Sequence, residues 1–572
     1  MERQQEYEIR TMVADAIKRD VNNVFEKTYL DLNHNFCNEI LIPLTILEMK
    51  YKQKSEESIA MGLGISNELL ILVNPLREAV YWFIKRILAK EKNIRPVKNA
   101  YIPESDSEMA FIEFVLRLHD EYKRGEQIRE IRECSTKVAL AEESENKYSF
   151  HFPVITDTYN KEMLYYYGMD DTLNSEKERE IFIECERYLT DKINVGELIT
   201  TPTKIHIFYN ILNRMAKCID IGYFELCKKR ILSDLNKVSS TDIRSIDDKT
   251  GNMIIKSKDE VASFLALLYY LSRICMQRYM LSSSTCIGKE EYICQYSIPQ
   301  LLALGNQIGL AKECMMRYIE YFSMNAHVEY GNFTEFPLLK FNETIIWIPS
   351  SVVLNDFQFS LVNGHYYKNI RFENKDETVS QSIVDYIVDH AKRYNNVIYS
   401  TNYCYDVKEE KFRGKPFNSD IDVAIYDQLH KKVLIIECKW KENVYQNYEN
   451  YVRIEDAFKK IFDNQLEKHQ AYLQRDIGNL TQLFGDQVDF SQESDFDILY
   501  LFVDKRIQYH DNKANRHAIP IFMLAYLFEK YSPNGVLSLV DVFEEIRDME
   551  SKIKYERIPL KEPVCLGEIT VC

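Results

Sequence analysis

Asp422 opens the apolar run Asp-Val-Ala-Ile-Tyr, and after fourteen intervening residues a second apolar run, Val-Leu-Ile-Ile, ends in Glu437-Cys438-Lys439-Trp440. Two carboxylates and an amine so spaced are what metal-assisted phosphodiester cleavage requires. Residues two apart in a strand share a face, so Glu437 and Lys439 project together while Ile436 and Cys438 point into apolar cover. Asp422 belongs to the preceding strand, across a turn containing Asp427 to Lys432. Paired strands lie ~4.8 Å apart, close enough for both carboxylates to reach one cation. Hard oxygen ligands with open water positions suit Mg²⁺, with Mn²⁺ as a substitute. Lys439 would orient the attacking water or stabilise charge on the phosphate.

The flanking sequence predicts elements able to hold such a site. After about Glu335, β-rich runs appear at Thr344 to Ile348, Asn396 to Tyr405, Asp422 to Tyr426, Val433 to Cys438 and Ile498 to Val503. Helical patterns at Glu377 to Arg393, Ile454 to Leu473 and Phe522 to Lys530 separate some of them, which argues for helices packed on a mixed sheet. Upstream, to about Phe322, the dominant period is helical. Ser105-Asp106-Ser107-Glu108 and Ser257-Lys258-Asp259-Glu260 carry the capping pattern of a helix start. Pro75 to Lys90 reads as a helix with proline at its first position, and Ile205 to Leu235 and Leu310 to Phe322 as further helices. Asn99 to Asp106 and Ser239 to Asp259 read as connections, while Lys137 to Asp171 shows no clear period. The expected class is therefore multidomain, α plus α/β. A mainly helical region over 1–335, with sub-boundaries near 100 and 240–258, precedes an α/β domain over 336–530 and a helical tail over 531–572.

Ile421-Asp422, the fourteen-residue spacer and Glu437-Cys438-Lys439 together resemble the PD-(D/E)XK, or restriction-endonuclease-like, nuclease superfamily, over roughly Phe336 to Lys530. The resemblance implies Asp422 and Glu437 as metal ligands, the Cys438 carbonyl as a third ligand and Lys439 as the catalytic lysine. The residue before the aspartate is Ile421 rather than proline, a departure that weakens the textual match more than the chemistry. Many members carry an acid in the helix before the first core strand, for which Glu377 is the matching residue; an ordinary acid at a helix start is the plainer alternative. Phe458, Ile461, Phe462, Gln465, His469 and Tyr472 form one helical stripe, and Gln465 resembles the glutamine some members set beside the lysine or the DNA backbone. An edge-of-stripe polar residue explains Gln465 equally simply, and the same holds for His469. Asp420 is an alternative to Asp422 on the same expected face.

Weaker signals surround this set. Lys411, Arg413 and Lys415 flank Gly414 in a turn before the Asp422 strand, as phosphate contacts or as a solvated loop. Trp440 and Tyr403 could stack on a base, although strand-end aromatics more often pack under helices.

The net charge of −16 disfavours a protein that coats nucleic acid by charge alone. The thirteen cysteines include no Cys-x-x-Cys pair, and no zinc cluster, Walker loop or Ser/His/Asp elbow is present. With no apolar leader or membrane-length run, the expectation is a cytoplasmic protein without membrane attachment. These readings combine into a Mg²⁺-dependent endonuclease acting on DNA, in restriction or in defence against phage and mobile elements. Its helical region would serve recognition, assembly or control, with an activating partner protein. One centre cuts one strand, so a double-strand break would need a homo-oligomer or two nicks. The rival expectation is a noncatalytic nucleic-acid-binding or assembly protein that keeps a nuclease-like fold.

Overall fold

The computed structural model describes residues 3–31, 40–60, 67–90, 106–129, 138–144, 147–155, 175–191, 202–237, 241–282, 292–328, 331–374, 379, 381–440, 458–485, 487–488, 490, 497–505, 509–511, 515–549, 555–559, 564–566 and 569–571. The chain divides into two compact units. One comprises residues 1–7, 130–175 and 375–572; the other comprises 8–129 and 176–374.

The unit containing 375–572 is built on a six-stranded mixed sheet. Helix α1 (Gln381–Ala391) leads into β1 (Val397–Phe412), β2 (Lys415–Asp427) and β3 (Lys432–Lys439). Helices α2 (Glu467–Arg475) and α3 (Ile477–Leu483) then precede β4 (Asp497–Asp504), β5 (Tyr509–Asp511), β6 (Arg516–Pro520), α4 (Ile521–Lys530) and α5 (Leu539–Asp548). The strand order is β5-β6-β4-β3-β2-β1. β1 to β3 pair antiparallel, β3 pairs β4 parallel, β4 pairs β6 parallel, and β5 returns antiparallel on β6.

Local chemistry accounts for the connections. Arg413 and Gly414, at φ 50° and 82°, form a two-residue hairpin turn whose positive φ values match the twist of the strands it joins. The parallel β3–β4 pair needs a long crossover, which α2 and α3 supply. β3 lies between neighbours with both faces covered, so Val433, Leu434, Ile435 and Ile436 are all fully buried and read as a continuous apolar run. On one face Ala424, Tyr426, Val433 and Ile435 pack against Leu473, Leu480, Leu483 and Phe484 of the α2–α3 region. α1 packs on β1 to β3, and α4 on β4 and β6.

The same unit holds a second sheet, in which Lys147–Ile155 pairs antiparallel with Ala139–Ser144 and with Tyr555–Pro559. Ile569–Val571 runs parallel to Lys147–Ile155 and pairs with Val564–Leu566. The segment without a clear period and the end of the chain are thus one structure, assembled across a sequence distance that no local pattern reports.

The other unit is mainly helical. Its axis is Lys258–Ser282, in which every residue from Val261 to Met276 is buried, so this apolar window is core. Ser257 Oγ accepts the Glu260 N–H at 3.2 Å, as the capping pattern predicts. Ile205 to Leu235 is two helices, Pro202–Met215 and Ile221–Leu235, the second capped by Asp220. Pro75 lies inside Asn67–Lys90 rather than at its first position; the helix continues through the one missing donor. Thr344–Trp347 pairs with Cys294–Ser297 and Leu339–Phe341, and Ser245–Asp247 pairs with Met253–Ile255 and Ile370–Phe372. The compact units therefore divide the chain at 374/375, C-terminal to the expected step at 335/336, because residues 336–372 pair with strands of the helical unit. Within the described residues no helix is long and apolar enough to cross a membrane.

Candidate active site

The site lies where β2 and β3 part. Their ladder runs from Asp427↔Lys432 to Val423↔Ile436, and the same register next opposes Asp422 to Glu437. There the backbone pairing stops, and Asp422 Oδ2 accepts the Cys438 N–H at 2.7 Å. On its other edge Asp422 is also unpaired: the β1–β2 register is resolved at Ile421↔Tyr403 and Val423↔Thr401 but not between them. Asn402, opposite the gap, is left-handed at φ 51°, a conformation asparagine tolerates better than most residues. Ile421 joins the same apolar cluster as Ala424 and Tyr426, although strict alternation would put positions 421 and 424 on opposite faces. The strand rotates at Asp422, so alternation no longer ties Asp420 to its face. Asp420 is exposed and acts on Asp422 only as a weak repulsive charge.

Asp422 is 9 % exposed and Glu437 1 %. Lys439 Nζ lies 2.5 Å from Glu437 Oε1 and 3.6 Å from Asp422 Oδ2. His469 Nε2, on α2, lies 3.0 Å from Glu437 Oε2. Three of the four carboxylate oxygens are engaged, and Asp422 Oδ1 accepts from no described residue. Burial, reinforced by repulsion from Glu437, pushes the Asp422 carboxyl up to about 7, with Lys439 and the Cys438 N–H offsetting only part of this. Burial disfavours charge on Lys439 too, but Glu437 and Asp422 outweigh it and hold the ammonium above its ordinary pKa. Burial keeps the Cys438 thiol protonated, so only its backbone carbonyl is suited to a hard cation.

Once Asp422 is ionised, two carboxylates against one ammonium leave a surplus negative charge in a buried site. That imbalance fits a divalent cation, which would draw Asp422 into its charged form. Among the described residues no group of three or more His, Cys, Asp or Glu side chains could hold a metal ion. Magnesium does not need one, since it is commonly held by one or two carboxylates with water and substrate oxygens completing its shell.

The remaining expected residues separate clearly. Gln465 sits half-buried in a π-helical turn, Phe462–Leu466, and hydrogen-bonds to no described residue. Such turns insert an extra residue into the helix and re-aim the side chains after it. His469 follows that turn and is fully buried against Glu437. Glu377 lies outside the described residues. Arg413 is committed within the fold, donating to the Asp463 carbonyl at 3.1 Å and pairing with Glu467, which also binds Arg516. Lys411 and Lys415 are exposed. Trp440 is buried, and Tyr403 joins its hydroxyl to that of Tyr472 at 3.1 Å, so both pack within the fold. Sequence reasoning missed Tyr405, whose hydroxyl lies 2.9 Å from His469 Nδ1; a tyrosine in a tyrosine-rich strand gives no signal of that contact. No family model, curated protein or solved structure matches the chain.

Proposed function

We propose that the unit containing residues 375–572 is a metal-dependent phosphodiesterase of the PD-(D/E)XK type that cuts DNA. One observation carries the reading: Asp422, Glu437 and Lys439 converge from two neighbouring strands, with the lysine amine 3.6 Å from one carboxylate and 2.5 Å from the other. A bound Mg²⁺ or Mn²⁺ would supply charge stabilisation at the scissile phosphate and an acidified water. Asp422 and Glu437 would hold it, with the Cys438 carbonyl as a third oxygen. Lys439 is charged at neutral pH, so it acts by orienting and neutralising phosphate oxygens rather than by abstracting a proton. Gln465, with its amide uncommitted, is available to the substrate backbone. Lys411 and Lys415 offer exposed phosphate contacts on an otherwise acidic chain.

Restriction or defence against mobile DNA is the role this chemistry serves best, with the helical unit as recognition or control element. The test incubates supercoiled plasmid, linear duplex, single-stranded DNA and RNA with the protein and Mg²⁺, Mn²⁺ or EDTA. Metal-dependent nicking by the wild type, lost in Asp422→Ala and Lys439→Ala with folding retained, is the expected result. Metal-independent retention of DNA without cutting would favour a noncatalytic binding protein, and cutting that survives both substitutions would place the chemistry elsewhere.

A further inference from the structure

Glu437 is held from behind by a chain of side chains that the acid–acid–lysine set does not require. A carboxylate only accepts, so the 3.0 Å contact between His469 Nε2 and Glu437 Oε2 requires the proton on Nε2. In the neutral ring the other nitrogen, Nδ1, is the acceptor, and the Tyr405 hydroxyl meets it at 2.9 Å. Burial pushes the Tyr405 phenol up, which keeps that hydroxyl a donor. Tyr405 is fixed in turn by a parallel stack on Tyr472, at 3.9 Å and 7° between rings. Tyr472 is joined to Tyr403 at 3.1 Å. The chain thus ties β1, α2 and β3 together around one carboxylate.

We propose that His469, oriented by Tyr405, is a positioning residue that fixes the Glu437 carboxylate so that Oε2 is held and Oε1 faces the Lys439 side of the site. The inference rests on the metal-site reading above and deepens it. Without the histidine N–H, a buried carboxylate would lose a charge-assisted hydrogen bond and rotate, and cation binding would require ordering it again. His469 itself touches neither cation nor substrate. A purely structural histidine would answer to volume alone, whereas a positioning histidine answers to the presence of a donor at Nε2.

The experiment is a Mn²⁺ titration of the full chain at constant pH without DNA, following free Mn²⁺ by electron paramagnetic resonance, alongside plasmid cleavage. His469→Leu, which preserves bulk without a donor, is expected to weaken Mn²⁺ binding about 10- to 100-fold. His469→Gln, whose amide can donate from a similar position, is expected to recover affinity to within about threefold of wild type. Tyr405→Phe, which keeps the ring stack and removes the hydroxyl, is expected to lose several-fold. Wild-type affinity in His469→Leu, or a glutamine variant as weak as the leucine one, would overturn the proposal. Should His469→Leu not fold, Tyr405→Phe decides: several-fold loss supports the relay and unchanged affinity overturns it. A wild-type chain that takes up no Mn²⁺ overturns the metal-site reading and this inference together. One that binds Mn²⁺, cleaves, and is indifferent to His469 overturns the inference alone.

Discussion

Strand β2 carries a buried aspartate at each end of its paired segment, and the two are treated differently. Asp427, fully buried, accepts from Asn396 Nδ2 at 2.9 Å, from the Leu429, His430 and Leu539 backbone N–H groups at 3.1, 3.2 and 3.1 Å, and lies 2.7 Å from His430 Nδ1. Most of those partners are backbone or buried amide groups of the fold itself, including the N–H at the start of α5. Asp422 has one backbone N–H, a share of one lysine and a like charge beside it. Burial alone therefore does not mark a functional carboxylate. What separates the two is whether the protein has compensated the charge, and at Asp422 it has done so only in part.

The comparison predicts opposite phenotypes. Asp422→Asn or Lys439→Ala should lower single-turnover DNA cleavage about 10³-fold, and Asp422→Asn, which removes a buried charge that is only partly compensated, should leave the melting temperature at or above wild type. A large loss of stability in Asp422→Asn would put Asp422 in the same class as Asp427. Asp427→Ala should leave the buried Leu539 N–H and the part-buried Leu429 and His430 N–H groups without this acceptor and cost roughly 3–5 kcal/mol in chemical denaturation. Its cleavage rate per folded molecule should barely change.

The pH dependence sharpens the contrast. Asp422 has its folded pKa raised from 3.8 to about 7. Its contribution to stability is therefore fully present below about pH 4 and is lost as pH rises through 7, a difference on the order of a few kcal/mol without metal. Mg²⁺ should raise the melting temperature more at pH 8 than at pH 5, and Asp422→Asn should flatten that difference. The smallest effect is expected at Arg413, whose exposed guanidinium pairs with a partly covered Glu467. Arg413→Ala should cost at most about 1 kcal/mol and leave cleavage nearly unchanged; a strong loss of DNA affinity would return that guanidinium to the phosphate-contact role.

The sequence made the strands of the candidate site legible because β3 is apolar on both faces and ends abruptly in Glu437-Cys438-Lys439, and the crossover helix shows its buried stripe. The local rotation at Asp422 was not legible, since it falls opposite a left-handed Asn402 on the neighbouring strand, a pairing that no local pattern reports. His469 was visible only as a polar residue on an apolar stripe. Its partner Tyr405 was hidden, because the contact is made across 64 positions of chain and a π-helical turn that no periodicity encodes. The sheet joining Lys147–Ile155 to Tyr555–Pro559 escaped for the same reason of sequence distance. The helical unit's claim on residues 336–372 followed from short strand pairings whose partners lie far upstream.

The most direct test of the central claim is anomalous scattering from crystals grown with Mn²⁺ and a DNA duplex. The expected result is a manganese peak shared by Asp422 and Glu437, at about 2.1–2.2 Å from an oxygen of each, with the Lys439 amine displaced from between the carboxylates toward a phosphate. Manganese bound elsewhere, with Lys439 still bridging Asp422 and Glu437, would contradict it.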